Sequence, residues 1–446
     1  MRRFLGPILL AAAIAAATAG AAAADDASLC KGEGNPPAGE RAAACTRIID
    51  GGQAGAAALA DAHLNRGRVL GAAGQYERAI ADYDRVIALD PQSFPAHNNR
   101  GIAYGALKQY ERALADFARA MEVAPKDPRP YLNRASLYYT LRQADRAIAD
   151  LDRAIELDPR MVAAYVQRGR IHTFLKRHDR ALADFNRALE LAPRLGGVYV
   201  YRAHLHHESA RFDLALADLD RALELDPANG EALYHRGRAL NRLGQFERAI
   251  ADFTRLIEAD PRHANAYFQR GLAYLILRKY DLALADYDRT VALEPNNAEA
   301  FLNRGLVRKN LGRYAQAIED YDRALALDPK LPVYGNRGEA YLNLKQYARA
   351  IADYDRAIEA TPNRAGFYSN RGFAYLELGQ NERALADLTR AIELDARDVY
   401  ALANRGWVHV RLGKRDAAER DFRAALALDP RLARALDGLK ELGVKP

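Results

Sequence analysis

Three charged positions recur along this chain at a spacing of 34 residues, with one step of 33 in each series and a second at the end of the third. One is arginine from Arg66 to Arg405, one is aspartate from Asp82 to Asp421, and one is arginine from Arg85 to Arg423. A carboxylate and two guanidinium groups in each unit could suggest chemistry. Catalysis, however, needs one constellation in one environment, whereas an eleven-fold pattern serves something that every unit must do. The expected role is an Arg–Asp pair within a unit or between adjacent units, the planar guanidinium giving bidentate geometry. The alternative is three solvated charges.

A fourth position varies along the chain. It reads Asn65, Asn99, Asn133, Gln167, Tyr201, His235, Gln269, Asn303, Asn336, Asn370 and Asn404, so two asparagine blocks flank a different centre. Around that centre stand His172, His204, His206 and His207, with Arg170, Glu208, Arg238 and Arg242 nearby in sequence or one unit away. No metal is expected here. His172 and His206 are equivalent positions one unit apart, and His206 and His207 diverge on a helix, so three or four ligands do not converge. Recognition of an acidic or carboxylate-bearing ligand is the expected use, with a pH dependence from the imidazoles.

The elements that must position these residues are marked by proline. Pro91, Pro125, Pro159, Pro193, Pro227, Pro261, Pro295 and Pro329 are each 34 residues apart; Pro362 arrives one residue early, Ala396 replaces the next, and Pro430 is the last. The missing residue is assigned to the turn before Gly338. Residues 303–329 align with 269–295 without a gap. Within each unit, apolar residues recur at helical spacing in two stretches separated by a short polar turn, and proline stops the second. Each unit is therefore read as a helical hairpin, too short to bury its apolar face alone and dependent on neighbours and end caps.

Period, small residues and proline together resemble the tetratricopeptide repeat, from residue 60 to about 432. Counting that repeat's positions from 1, position 8 is small from Gly67 to Gly406, with Ala135 and Ala203 the two alanines. Position 20 is alanine throughout, and position 24 is always Tyr, Phe or Leu, as at Tyr83, Phe253 and Leu388. The resemblance implies an all-α, right-handed superhelical solenoid of eleven helical hairpins. Residues 25–59 are read as a degenerate N-terminal cap, in which CTRIID (45–50) echoes FTRLIE (253–258). Residues 433–446 are read as a capping helix and tail, with Leu432, Leu436, Leu439 and Leu442 on one helical face. Arginine at position 7 departs from the family's commonest apolar residue.

In the related repeats of O-GlcNAc transferase, asparagines at position 6 form a ladder that grips the backbone of an extended peptide. The resemblance implies a peptide groove lined by Asn65, Asn99, Asn133, Asn303, Asn336, Asn370 and Asn404, since a carboxamide can pair with any peptide unit. Specificity would come from a central zone of Gln167, Arg170, Tyr201, His204, His207, His235, Arg238 and Gln269. The alternative is that the amides hydrogen-bond within the superhelix. Phe268, Phe373 and Trp407 are read as groove anchors or as packing residues.

The N-terminal residues MRRFLGPILLAAAIAAATAGAAAADD place Arg2 and Arg3 before an apolar run ending in small residues, which reads as a signal peptide over 1–24, cleaved before Asp25. The expected location is the periplasm or the exterior, and no membrane span is expected in the mature chain. Outside the cytosol the only two cysteines, Cys30 and Cys45, are expected to pair. The formal net charge of +7 arises from acids and bases that alternate within every repeat, so no basic stripe suited to nucleic acid forms. Signal, repeats and caps leave too little chain for a catalytic domain, and no phosphate loop or nucleophile motif appears. No cofactor or catalytic residue is expected. The function anticipated is a scaffold for a protein or extended peptide; the alternative is a carbohydrate-handling accessory in polysaccharide or cell-wall synthesis or export.

Overall fold

A computed structural model describes residues 25–52 and 54–445. The expected signal peptide lies outside the described residues. Among the described residues the chain is entirely helical, without a strand, and its helices alternate as the period requires. The second repeat is representative: a first helix Phe94–Ala106 and a second helix Tyr110–Val123. These are called the A and B helices of a repeat below.

Local chemistry sets both turns. Between A and B the chain passes through one left-handed residue, Gly244 (φ +74°) or Gly312 (φ +74°) in some repeats but Lys108 (φ +59°) or Lys345 (φ +56°) in others. The next amide folds back on the A helix, as Gln109 N–H donates to Tyr104 O at 2.8 Å. Between B and A, the aspartate before the proline accepts from the backbone two residues on. Asp90 takes Gln92 N–H at 3.0 Å and Asp260 takes Arg262 N–H at 3.0 Å, closing the turn that proline began. Deletion in the ninth repeat falls in this turn, and its A helix, Tyr334–Asn343, has 10 residues where its neighbour Ala365–Glu377 has 13.

The hairpin core is one small residue against one ring. Position-20 alanines such as Ala79, Ala249 and Ala418 are completely buried. At position 8, a Cβ on Gly237 would lie 2.6 Å from the Phe253 ring, so only glycine lets that A helix close on its B helix. The third repeat reaches the same seam with Ala135 and the smaller Leu151. Burying a ring such as Phe253 contributes about 2–3 kcal/mol, which recurs at every repeat rather than in one central core.

The chain divides into two compact units, one ending at Ser209 and one beginning at Ala210. The first contains the N-terminal cap, four complete hairpins and the helix Gly196–Glu208. The second contains Phe212–Leu225, six complete hairpins and the closing helix Ala433–Glu441. In the cap, helix Ala38–Asp50 packs on Ala56–Ala72, and Cys45 is joined to Cys30 by a disulfide. By chain entropy such a loop, with partners 15 residues apart, contributes about 3 kcal/mol. The first A helix starts at Ala56, one turn earlier than the period implies. At the other end, Leu432, Leu439 and Leu442 are buried, and Gly438 admits the Phe422 ring so closely that a Cβ there would overlap it. Among the described residues no helix is long and apolar enough to cross a membrane.

Candidate functional site

Two sets of side chains compete for the role of site: the repeated charges between helices and the variable residues on the A helices. The charges prove to be a spine. In every hairpin that lies wholly within one unit, position-7 arginine on the A helix grips position-23 aspartate on the B helix. Arg236 does so bidentately, with Nε to Asp252 Oδ2 at 2.7 Å and Nη2 to Oδ1 at 2.7 Å. Its remaining arm, Nη1, reaches Asp220 Oδ1 of the preceding repeat at 2.8 Å. Arg100, Arg168, Arg304, Arg337 and Arg371 repeat this three-point grip with Asp84, Asp152, Asp288, Asp322 and Asp355. In two further repeats a hydroxyl or amide takes the place of that aspartate, Thr254 for Arg270 and Asn186 for Arg202, whereas Arg134 faces Ala118 and keeps only its bidentate pair with Asp150. Thr46 of the cap does the same for Arg66 at 3.1 Å, so the echo between CTRIID and FTRLIE is a shared contact as well as a shared pattern.

The aspartates are buried and the arginines are part-exposed, so each guanidinium bridges the interior to the surface. Burial pulls the Asp116 carboxyl upward, yet Arg100 and His97 outweigh it and hold the group below its ordinary value. At Asp286 burial prevails over Arg270 and the value is raised. The third charged series differs. Arg153, Arg187 and Arg390 lie on the surface in pairs with Glu156, Glu190 and Glu393 three residues on, and these are solvated charges. The expected pairing therefore holds for two of the three series.

Position 6 is half-buried in most repeats. Asn133 Nδ2 donates to Asn98 Oδ1 at 2.9 Å, and Asn98 donates to Asn99 Oδ1 at 3.3 Å, so the first asparagine block is bonded within the protein. Asn65 receives only a long contact of 3.5 Å from Arg68. Among the described residues, the side chains of Asn303 and Asn336 make no internal hydrogen bond, Asn370 is half-buried, and Asn404 is buried at 6 % exposure. Asn404 therefore does not offer an accessible rung.

The eight residues of the central zone do not form one patch within a unit. Gln167, Arg170, Tyr201, His204 and His207 belong to the first unit; His235, Arg238 and Gln269 belong to the second. Three of the first five share a groove of about 650 Å³ between the A helices Arg129–Thr140, Val162–Phe174 and Gly196–Glu208. Its wall is apolar at Val162, Val166 and Leu195, and polar at Gln167, Arg170 and Tyr201. Gln167 Nε2 donates to Ser136 Oγ at 2.7 Å, and the Arg170 guanidinium lies 5.1 Å from the Tyr201 ring centre. Tyr139 enters the same wall and meets the half-exposed Phe174 edge to face at 6.2 Å. His204 and His207 stand on the third of these helices but outside the groove wall.

In the second unit, Arg238 lies 5.7 Å over Tyr234, whose ring also meets His235 edge-on, and Asn241 Nδ2 donates to the backbone oxygen of Gln269 at 3.1 Å. His172 is buried, and burial lowers its pKa. Among the described residues no group of three His, Cys, Asp or Glu is placed to hold a metal ion. Phe268 packs edge-on against Tyr287, and the Trp407 indole N–H donates to Arg434 O at 2.9 Å; both are packing residues. Reading position 6 alone missed Ser136, Tyr139 and Leu195. The signal for Ser136 lay at position 9, which changes from Arg68 to Ile102, Ser136 and Arg170 in the first four repeats.

Comparison with known proteins agrees with the repeat geometry. Tetratricopeptide repeat models match residues 94–127, 132–195, 202–264, 253–285, 270–336 and 399–432, and a TPR repeat model matches 67–108, 338–379 and 372–413. Among solved structures, YrrB, described as a TPR protein with an unusual peptide-binding site, is 29 % identical over 41 % of this chain and 95 % of its own, with a TM-score of 0.38. The Cut9–Hcn1 hetero-tetramer of the APC/C is 17 % identical over 91 % and 93 %, with a TM-score of 0.47. A tetratricopeptide repeat protein from Parabacteroides merdae is 21 % identical over 56 % and 98 %, with a TM-score of 0.41. A search of curated proteins finds no significant match. From residue 67 to residue 432, family matches and folded hairpins coincide, and the chain belongs to the tetratricopeptide repeat family.

Proposed function

We propose that this protein is a non-enzymatic scaffold, exported to the periplasm or beyond, that holds an extended segment of another protein against the A helices of its repeats. The observation that carries this reading is the groove of the third to fifth A helices, where an apolar wall and the polar side chains of Gln167, Arg170 and Tyr201 meet in one concavity. The spine between the helices supports it from behind, because it ties successive repeats together without occupying that face. The asparagines of the eighth to tenth repeats, Asn303, Asn336 and Asn370, supply further amides for a peptide backbone. A carbohydrate reading asks for open aromatic faces, and the Tyr201 face in the groove is already covered by Arg170.

The test is retention of proteins from envelope extract on purified chain 25–446, comparing wild type with Val166→Asp and with the triple change of Asn303, Asn336 and Asn370 to alanine. A specific partner that Val166→Asp loses while melting normally supports the groove. A partner kept by both variants places recognition elsewhere on the molecule.

A further inference from the structure

The first unit contains two arginines on the inner A-helix face that the spine does not use. Arg68 and Arg170 both occupy position 9, three repeats apart, and both are exposed. Each lies two residues beyond a spine arginine, Arg66 or Arg168, that is locked to aspartate. Arg68 reaches the Asn65 amide at 3.5 Å, and Arg170 lies over Tyr201; among the described residues neither is ion-paired to a carboxylate.

Each also stands in a concavity whose wall holds no acid. Arg170 is the only charged residue lining the groove of about 650 Å³. Arg68 is the only charged residue lining a second concavity of about 470 Å³, together with Tyr76, Asn99 and Ile102. Both walls use positions 6 and 9 of successive A helices, so the two guanidinium groups fall on one face by register. An unneutralised guanidinium beside an apolar wall selects a carboxylate carried next to an apolar side chain. Helix spacing of about 8–10 Å puts equivalent positions of neighbouring repeats roughly three extended residues apart, and three repeats make roughly nine.

We propose that the first unit recognises one extended acidic and apolar segment with two carboxylates roughly nine residues apart, one for Arg68 and one for Arg170. This rests on the peptide-groove reading and adds the chemistry and spacing of the ligand. The pairs are charge-assisted, so binding weakens as salt rises.

The experiment is selection of a displayed random peptide library, about 16 residues long so that it spans both arginines, on purified chain 25–446. Wild type is run beside Arg68→Glu, Arg170→Glu and the double variant, with melting of each as the folding control. Enrichment of paired Asp or Glu flanked by apolar residues supports the proposal. So does an affinity loss of about tenfold or more for each single variant and a switch to Lys or Arg in the double variant. Peptides that enrich without acidic bias, or that bind the double variant equally, overturn the charge assignment and leave the groove reading standing. Failure to enrich any peptide overturns both.

Discussion

Arg168 and Arg170 differ by two positions on one helix and do opposite work. Arg168 points back into the hairpin, bidentate to buried Asp184 with a third bond to Asp152. Arg170 points to the inner face, over Tyr201 and into a groove with no acid. A helical turn separates side chains two residues apart by more than half a revolution, so identical chemistry lands in unlike surroundings. Repetition follows the same division. Position 7 is arginine in all eleven repeats, and every hairpin that lies within one unit uses it as the same clasp, while position 9 takes no part in that clasp and changes along the chain.

The contrast breaks first at the spine. Arg236→Ala strands the buried Asp252 and should destabilise the protein by about 3–5 kcal/mol in urea unfolding, towards the lower figure because the guanidinium is part-exposed. Wild-type stability in that variant would reduce the spine to surface charges. Gly237→Ala comes next. Its Cβ would meet the Phe253 ring, at a cost of about 1–3 kcal/mol, and a second change Phe253→Leu should recover part of that cost by recreating the Ala135–Leu151 seam of the third repeat. Additive destabilisation in the double variant would show that the two positions do not share one space. Tyr321→Phe is smaller and of opposite sign. The Tyr321 hydroxyl is buried without a hydrogen-bond partner, and burial raises its pKa, so removing it should be neutral or stabilise by up to about 1 kcal/mol. A clear loss of melting temperature would point to a partner for that hydroxyl. Arg170→Ala should be least, within about 0.5 kcal/mol of wild type in stability while binding falls, which sharpens the separation of clasp from recognition.

Legibility followed the same line. Hairpins and seam were readable because period 34, Ala79 to Ala418, and Tyr83 to Phe422 are local patterns repeated eleven times. The arginine and aspartate series were readable as a structural device for that reason, although the sequence alone left open whether they were buried. The asparagine series was harder to read. Asn133 turns to Asn98, and Asn404 is buried, because neighbouring side chains decide whether an amide faces a ligand or its own protein.

The sequence by itself determined what short-range stereochemistry and periodic burial dictate: where each helix stops, which residue must be small, which two helices pair. Tertiary structure alone decided what depends on residues far apart in the chain meeting at one place. It buried Asp252 behind Arg236, gave Thr46 the bond to Arg66 that Thr254 makes to Arg270, and set Ser136, Gln167, Arg170 and Tyr201 around one groove. The physical reason is that a side chain's energy depends on its final solvent exposure and partners, and in a stack of repeats those are set by the neighbouring repeat.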